Sequence, residues 1–207
     1  MSTINDIRYE GVLPTKPRGD CPRLGIVGCG RNMWDDLARF YKFDVQCDIM
    51  TVNLSGLFFP KPSEAGGCIH RFMVAMDGGN VQFIKGLRQI KYHEPIVNYV
   101  SISVEKPADY VVDFPDVYPI AWTAVYGALL ARVMDYRRIV LIGCPHDNSG
   151  HFYDPPWVRT PTFNSCEVHR EAWTVNERYW KGTLRSMSGK TREWLGEPTR
   201  EWLLEEE

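Results

Sequence analysis

Three runs in this chain, Leu24 to Gly28, Asp48 to Asn53 and Arg138 to Gly143, are apolar through their middles and end in glycine or asparagine. A strand with one face in water alternates apolar and polar side chains, whereas a run without alternation is buried on both faces. Strands of that kind belong to a mostly parallel sheet covered by helices on either side. The segments between them carry the helical period this requires: Trp34, Leu37, Ala38, Phe40 and Tyr41 after the first run, and Val81 to Arg88 further on. Phe72 to Met76 and Ile96 to Val104 read as further strands. Tyr118 to Asp154 reads as a helix feeding the Arg138 strand and then a polar loop. The tail holds a helix from Cys166 to Trp180, a short strand around Leu184 to Met187, and helices over Lys190 to Leu195 and Thr199 to Leu204. The predicted class is α/β, doubly wound, with helices on both faces and a helical C-terminal extension.

Residues 1–22, rich in Pro, Gly and charge near PTKPRGDCPR, read as an arm, and 23–207 as a single domain. A net charge of −2 gives no basic face on which to replace the counterions of duplex nucleic acid, so none is expected as a partner. The six cysteines stand singly, which argues against a zinc ribbon or a disulfide scaffold and suits a reducing compartment. Cys29 and Cys144, at strand ends, read as small buried hydrophobes. The N-terminus has no long apolar run, so neither a signal peptide nor a membrane span is expected, and the location expected is cytoplasmic. Homo-oligomerisation is left open. The loop PKPSEAGG (residues 60–67) has the composition of a flap.

Candidate chemistry gathers where predicted strands end. Gly28-Cys29-Gly30 lets backbone amides and the following helix start, near Asn32, approach a phosphate; the competing reading is a merely tight turn. The third glycine of a dinucleotide fingerprint is missing, with Met33 in its place, and Asn53 ends the second strand where an acidic residue would hold a ribose. Bound NAD is therefore disfavoured against a mononucleotide or nucleotide diphosphate. Ser188-Gly189-Lys190-Thr191 is not a triphosphatase loop, because Leu184 stands where that loop needs glycine; it reads as a Ser-capped helix start near Arg185 and Arg192. Asp77 either holds a ribose hydroxyl, a magnesium ion or a proton, or makes an Asx-turn into the next helix. The densest cluster is His146-Asp147-Asn148-Ser149-Gly150-His151-Phe152-Tyr153-Asp154. A histidine just past a strand end can act as acid or base near neutrality. The spacing of His146, His151, Asp147 and Asp154 matches no zinc pattern, so no metal site is expected. The tryptophans read mainly as packing residues, with Trp157 the one placed to stack on a base or sugar.

Gly28-Cys29-Gly30 with Asn32, Val52-Asn53, and the stretch from Thr123 through Gly143 to His151 resemble a Rossmann-like superfamily. Its members include bacterial lipooligosaccharide sialyltransferases and 6-hydroxymethylpterin diphosphokinase-like proteins. The endings Leu184 to Gly189 and Thr191 to Thr199 are similar to uncharacterised phage and prophage proteins. The resemblance implies that Gly28, Gly30, Asn32 and Asn53 contact a nucleotide, and that Thr123 opens a helix against a phosphate. It implies a functional loop histidine at His151. Three departures stand out: Arg31 replaces a proline, Ala121-Trp122 replace small residues, and Cys144-Pro145 stand where the family strand ends in an acidic residue.

The reading favoured on these grounds is a nucleotide-dependent transferase, glycosyltransferase-like, using a nucleotide sugar. Arg185 or Arg192 would neutralise phosphate charge, and His151 or His146 would serve as acid or base. One alternative is a magnesium- and ATP-dependent diphosphokinase, with Asp77 and Asp147 holding the metal. The other is a phage-type module that binds or sequesters a nucleotide without turnover.

Overall fold

The computed structural model describes residues 7–14, 21–59, 68–92, 100–117, 122–147, 149–157 and 166–205. In chain order the first half comprises β1 (Glu10–Gly11), β2 (Arg23–Val27), α1 (Met33–Tyr41), β3 (Asp48–Val52), α2 (Ser55–Phe58), β4 (Ile69–Val74), α3 (Gly78–Tyr92) and β5 (Val100–Ser103). The second half comprises β6 (Tyr110–Asp113), α4 (Thr123–Val133), β7 (Arg138–Ile142), α5 (Cys166–Val175), α6 (Glu177–Trp180), β8 (Leu184–Ser186), α7 (Gly189–Leu195) and α8 (Arg200–Leu204).

The three uninterrupted apolar runs become neighbours: β3, β2 and β7 lie parallel at the centre of the sheet, with Ile26 beside Met50 on one side and Leu141 on the other. The full order is β1-β6-β5-β4-β3-β2-β7-β8, parallel except where β1 joins β6. Residues 10–11 of the expected arm are thus a short edge strand. Because side chains alternate across a strand, each central strand feeds two cores. Leu24, Ile26, Met50, Val52, Ile139 and Leu141 point to one, and Val27, Ile49, Val140 and Ile142 to the other. The fold is a doubly wound, Rossmann-like α/β sheet with helices on both faces.

The first core is closed by α4, whose residues from Ala124 to Ala131 are all buried. A helix apolar all round must be covered on both sides. The sheet covers one side and the C-terminal helices the other, with Trp173, Tyr179 and Trp180 packed into the same core and Arg132 donating to Tyr179 O at 2.8 Å. Burial of Leu129 and Leu130 alone contributes about 2 kcal/mol each. The second core takes Met33, Leu37 and Phe40 from α1 and Trp202 and Leu203 from α8. Arg138 and Arg23 donate to Trp202 O and Leu203 O at 2.8 and 2.7 Å, tying down carbonyls that the end of α8 leaves open.

Several boundaries differ from expectation. The predicted helix from Cys166 to Trp180 is interrupted at Asn176, which is buried and donates from its side chain to Ala172 O at 2.8 Å. The strand expected at Phe72 to Met76 runs from Ile69 to Val74, and β6 and α2 were not expected at all. Residues 60–67 and 96–99 lie outside the described residues. Among the described residues no helix is long and apolar enough to cross a membrane.

His70, on β4, is buried, with Nε2 2.9 Å from Thr51 Oγ1 and 3.1 Å from Phe72 O, and Phe59 packed on its ring. Burial, with the Arg88 charge added, pushes its pKa from 6.5 down to about 3. Between those values the unfolded chain binds a proton that the native state excludes, so stability must rise with pH across that window. Urea unfolding from pH 4 to 7 is expected to show this slope, and His70→Gln should reduce it by about one proton per molecule. An unchanged slope would contradict the neutral, buried assignment.

Candidate functional site

The sheet changes direction between β2 and β7: β2 through β6 step to one side, and β7 returns on the other. In open α/β sheets ligands lie beyond the carboxyl ends of the strands at such a point. Here the floor of that crevice is occupied by the chain itself. Gly28 N donates to Ile142 O at 2.8 Å and Gly30 N to Gly143 O at 2.7 Å. A Cβ on Gly28 would lie 2.4 Å from Cys144 Sγ, and one on Gly30 2.3 Å from Pro145 Cδ. These glycines therefore make room for Gly143-Cys144-Pro145, and two of the turn's amides are engaged by protein carbonyls.

That three-residue segment is gripped from both adjoining helices. Gly143 N donates to Asp36 Oδ2 at 3.0 Å, Thr191 Oγ1 donates to Cys144 O at 2.7 Å, and Lys190 N donates to Pro145 O at 2.8 Å. Asp36, on α1, is 2% exposed. It also accepts the Ser188 hydroxyl, which in turn accepts the Asn32 side-chain amide. Burial raises the Asp36 pKa, and the Ser188 and Gly143 donors oppose that rise. The helix start expected to be capped by Ser188 is not, nor does Asn32 cap α1: both turn their side chains to this relay. In α7 the Pro145 carbonyl takes the cap's place.

The polar loop after β7 folds back onto the glycine turn. Arg31 N donates to Gly150 O and Phe152 N to Cys29 O, each at 3.0 Å, and Gly30 and His151 form an antiparallel bridge. The Arg31 guanidinium donates to Ser149 O and Pro155 O. Phe152 anchors the loop between Trp34 and Phe58. Within the loop, Asp154 Oδ2 accepts His151 N at 2.8 Å and lies 3.1 Å from His151 Nδ1. The His151 backbone N–H, reinforced by its ring, holds the Asp154 carboxyl below the usual range. The His151 ring stacks on Tyr153, with centroids 4.9 Å apart and planes at 4°. A neutral imidazole donating Nδ1–H to a carboxylate presents a lone pair on Nε2, the arrangement of a general base.

Further along the rim, Asn53 adopts a left-handed φ of 53° at the end of β3 and its amide reaches Thr123 Oγ1 at 3.4 Å. Thr123 begins α4, which no side chain caps. Trp122, just before it, packs at a tilt against His146, with ring centroids 4.7 Å apart, and Trp173 Nε1 donates to His146 Nδ1 at 3.1 Å. An indole nitrogen only donates, so His146 Nδ1 carries the lone pair and its proton is on Nε2.

Of the residues singled out in the sequence, Gly30 and His151 meet in a bridge, with Gly28 in the same turn against Cys144. Asn53, Thr123 and His146 form a second group joined through Trp122. Asn32 lies beneath, in the relay. Asp77 Oδ1 accepts Gly79 N at 2.8 Å and Asn80 N at 3.3 Å, starting α3, and Asp147 Oδ1 accepts Ser149 N at 2.9 Å; both carboxylates serve turns. Arg185 lies over Trp202 at 4.6 Å and donates to Glu197 O, and Arg192 pairs with Glu197. Trp202 also underlies Arg138, the first residue of β7, so Arg185 is directed to the amino end of that strand. Neither arginine joins the His151 group. Cys29 Sγ donates to Val52 O and accepts Ser55 N, and burial pushes its thiol up to about 12, a packing role. A cleft of about 500 Å³ opens between Arg39, Lys42 and Phe43 on one side and residues 197–201 on the other, and shares no residue with the rim. Among the described residues no three His, Cys, Asp or Glu side chains converge as cation ligands.

The sequence reading did not single out Asp36 or Tyr153, and met Asp154 only as a conceivable metal ligand. The spacing His151-x-x-Asp154 was the available signal, since a turn of that length brings the two side chains together. No protein-family model matches the chain, and no curated protein or solved structure matches it.

Asp36→Ala leaves Gly143 N and Ser188 Oγ without their acceptor and is expected to cost about 3 kcal/mol. Asp77→Ala removes only a helix cap and is expected to cost about 1 kcal/mol. Denaturant unfolding of both variants checks the ranking, and equal losses would refute the relay's structural weight.

Proposed function

We propose that the protein is a nucleotide-dependent transferase whose ligand lies along the carboxyl ends of β2, β3 and β7. The observation that carries this reading is the His151–Asp154 pair, bridged to Gly30 at the switch point, with Nε2 taking no partner among the described residues. In this scheme Nε2 takes the proton of an acceptor hydroxyl as that oxygen attacks the transferred group. That group's bond to the nucleotide phosphate breaks, and the nucleotide leaves as an anion with the bonding pair. The Asp154 carboxylate fixes the ring's tautomer and stabilises the imidazolium that results. Tyr153 holds the ring flat from one side.

The phosphates need a different seat from the one the glycine turn suggests, because Gly28 N and Gly30 N are already bonded. The start of α4 supports this assignment: it lacks a side-chain cap, so the positive end of the helix faces the rim. Thr123 and Asn53 would position the anionic group there. Trp122 and the His146 ring beside it would offer an apolar wall to the base or sugar. A nucleotide sugar is the donor that the resemblance to lipooligosaccharide sialyltransferases implies. The diphosphokinase alternative draws less support, since Asp77 and Asp147, its magnesium holders, each accept the amides of their own turns.

Calorimetry with CMP, UDP, GDP and their sugar conjugates tests the reading. One class is expected to bind, with affinity lowered at least tenfold in Asn53→Ala. With the matching donor, His151→Ala is expected to lower turnover by about 10²–10⁴ while binding persists. Silence across the panel from folded protein would overturn the proposal. Binding without any product would favour the sequestering module instead.

A further inference from the structure

Three cysteines that are far apart in sequence, Cys21, Cys47 and Cys68, meet at the amino ends of β2, β3 and β4, opposite the rim. Cys47 and Cys68 each stand one residue before a pair in the parallel register, Asp48 beside Ile69. Ile69 N donates to Cys47 O at 3.0 Å, and both side chains leave the sheet on one face, into the second core. On the other side of β3, Cys21 Sγ donates to Gln46 O at 3.4 Å. That carbonyl belongs to the peptide that carries Cys47 N. Covalent geometry therefore holds the Cys21 sulfur within about 6 Å of Cys47 Cα. The three differ in access: Cys21 is half-buried, whereas Cys47 and Cys68 are buried. Burial pushes both core thiols up, Cys68 to about 11. A thiol kept in its protonated form reacts poorly with a reagent in bulk solvent, which leaves Cys21 as the point of entry.

We infer that Cys21 and Cys47 form a reversible dithiol–disulfide site, entered at Cys21 by a low-molecular-weight disulfide. The Cys21 thiolate attacks one sulfur of the reagent, whose S–S bond breaks, releasing one thiol and leaving a mixed disulfide on Cys21. The Cys47 thiolate then attacks the Cys21 sulfur and expels the second thiol. Two protein thiols lose two electrons, the reagent gains them as two thiols, and each released thiolate takes up the proton that a cysteine lost. Placement offsets the raised Cys47 thiol, because a well-oriented intramolecular attack carries an effective concentration of about 10⁵–10⁸ M. Cys47 is the second partner because the Cys21 sulfur rests on its peptide, whereas β3 stands between Cys21 and Cys68. The bond ties the segment before β2 to β3 and removes freedom from the unfolded chain between them.

Mass spectrometry of the full, folded chain after incubation with oxidised glutathione checks this. The wild type is expected to lose two hydrogens, with Cys21 and Cys47 joined in the non-reduced peptide map and the bond undone by dithiothreitol. The oxidised chain is expected to unfold at a higher urea concentration than the reduced one. Cys47→Ser is expected to stop at a glutathione adduct on Cys21, and Cys21→Ser to leave Cys47 reduced. The wild-type map decides by itself, whatever the folding of either variant. A wild type that stays reduced, keeps the glutathione adduct on Cys21, or joins Cys47 to Cys68 instead would overturn the inference.

Discussion

The carboxyl side of this sheet depends on how the chain leaves β7. Gly143 turns with a φ of 63°, and a side chain there would strike Met33, with its Cα 2.8 Å from the added atom. Beyond it the chain runs between the first turns of α1 and α7, where Asp36 accepts the Gly143 amide and Gly30 N, Thr191 Oγ1 and Lys190 N donate to three successive carbonyls. A buried polar group left unmade costs 1–3 kcal/mol, so this arrangement holds or fails as a unit. Asp36 is its keystone. A carboxylate so buried is unfavourable by itself, and it is retained because the Gly143 amide and the Ser188 hydroxyl both donate to it.

That seat reorganises the rim above it. In a nucleotide-binding α/β sheet the glycine turn and the first helix start are the natural place for an anion. Here a protein carbonyl has replaced the anion at the turn, and another has done so at the start of α7. The loop from Ser149 to Pro155 is then laid over the turn by the Arg31 backbone and guanidinium, which brings His151 to the glycine. The proposed seat for negative charge is therefore the start of α4, next to β3 and its left-handed Asn53.

How much of this was legible in the sequence follows from what each pattern measures. The central strands were readable because burial on both faces leaves no polar position between Ile139 and Ile142 or between Ile49 and Val52, except Thr51. β6 was not, since Tyr110–Asp113 is short, lies near the edge and is only partly buried. The glycine turn was recognised as a turn, but its purpose was not: a glycine that admits a phosphate and one that admits Cys144 or Pro145 look identical in one dimension. Asp36 was hidden for a related reason. Beside Asp35 in the first turn of a helix it reads as an ordinary acidic residue favoured by the dipole, and only the approach of Gly143 and Ser188, from far along the chain, gives it another role. Arg185 and Arg192 failed in the opposite way. Their clustering in sequence is genuine, but Trp202 and Glu197, folding back through α8 and its preceding loop, occupy them.

The two loop histidines, five residues apart, are separated chemically by what their Nδ1 atoms face. His151 Nδ1 faces a carboxylate, which only accepts, so the ring donates there. His146 Nδ1 faces an indole N–H, which only donates; a proton placed on that nitrogen would face another hydrogen and break the bond to Trp173. One ring is thus held by a carboxylate. The other accepts from one tryptophan and packs against a second. Acid–base work is proposed for His151 and not for His146 on this difference in partners, since both histidines stand at the same strand end and neither is fully buried.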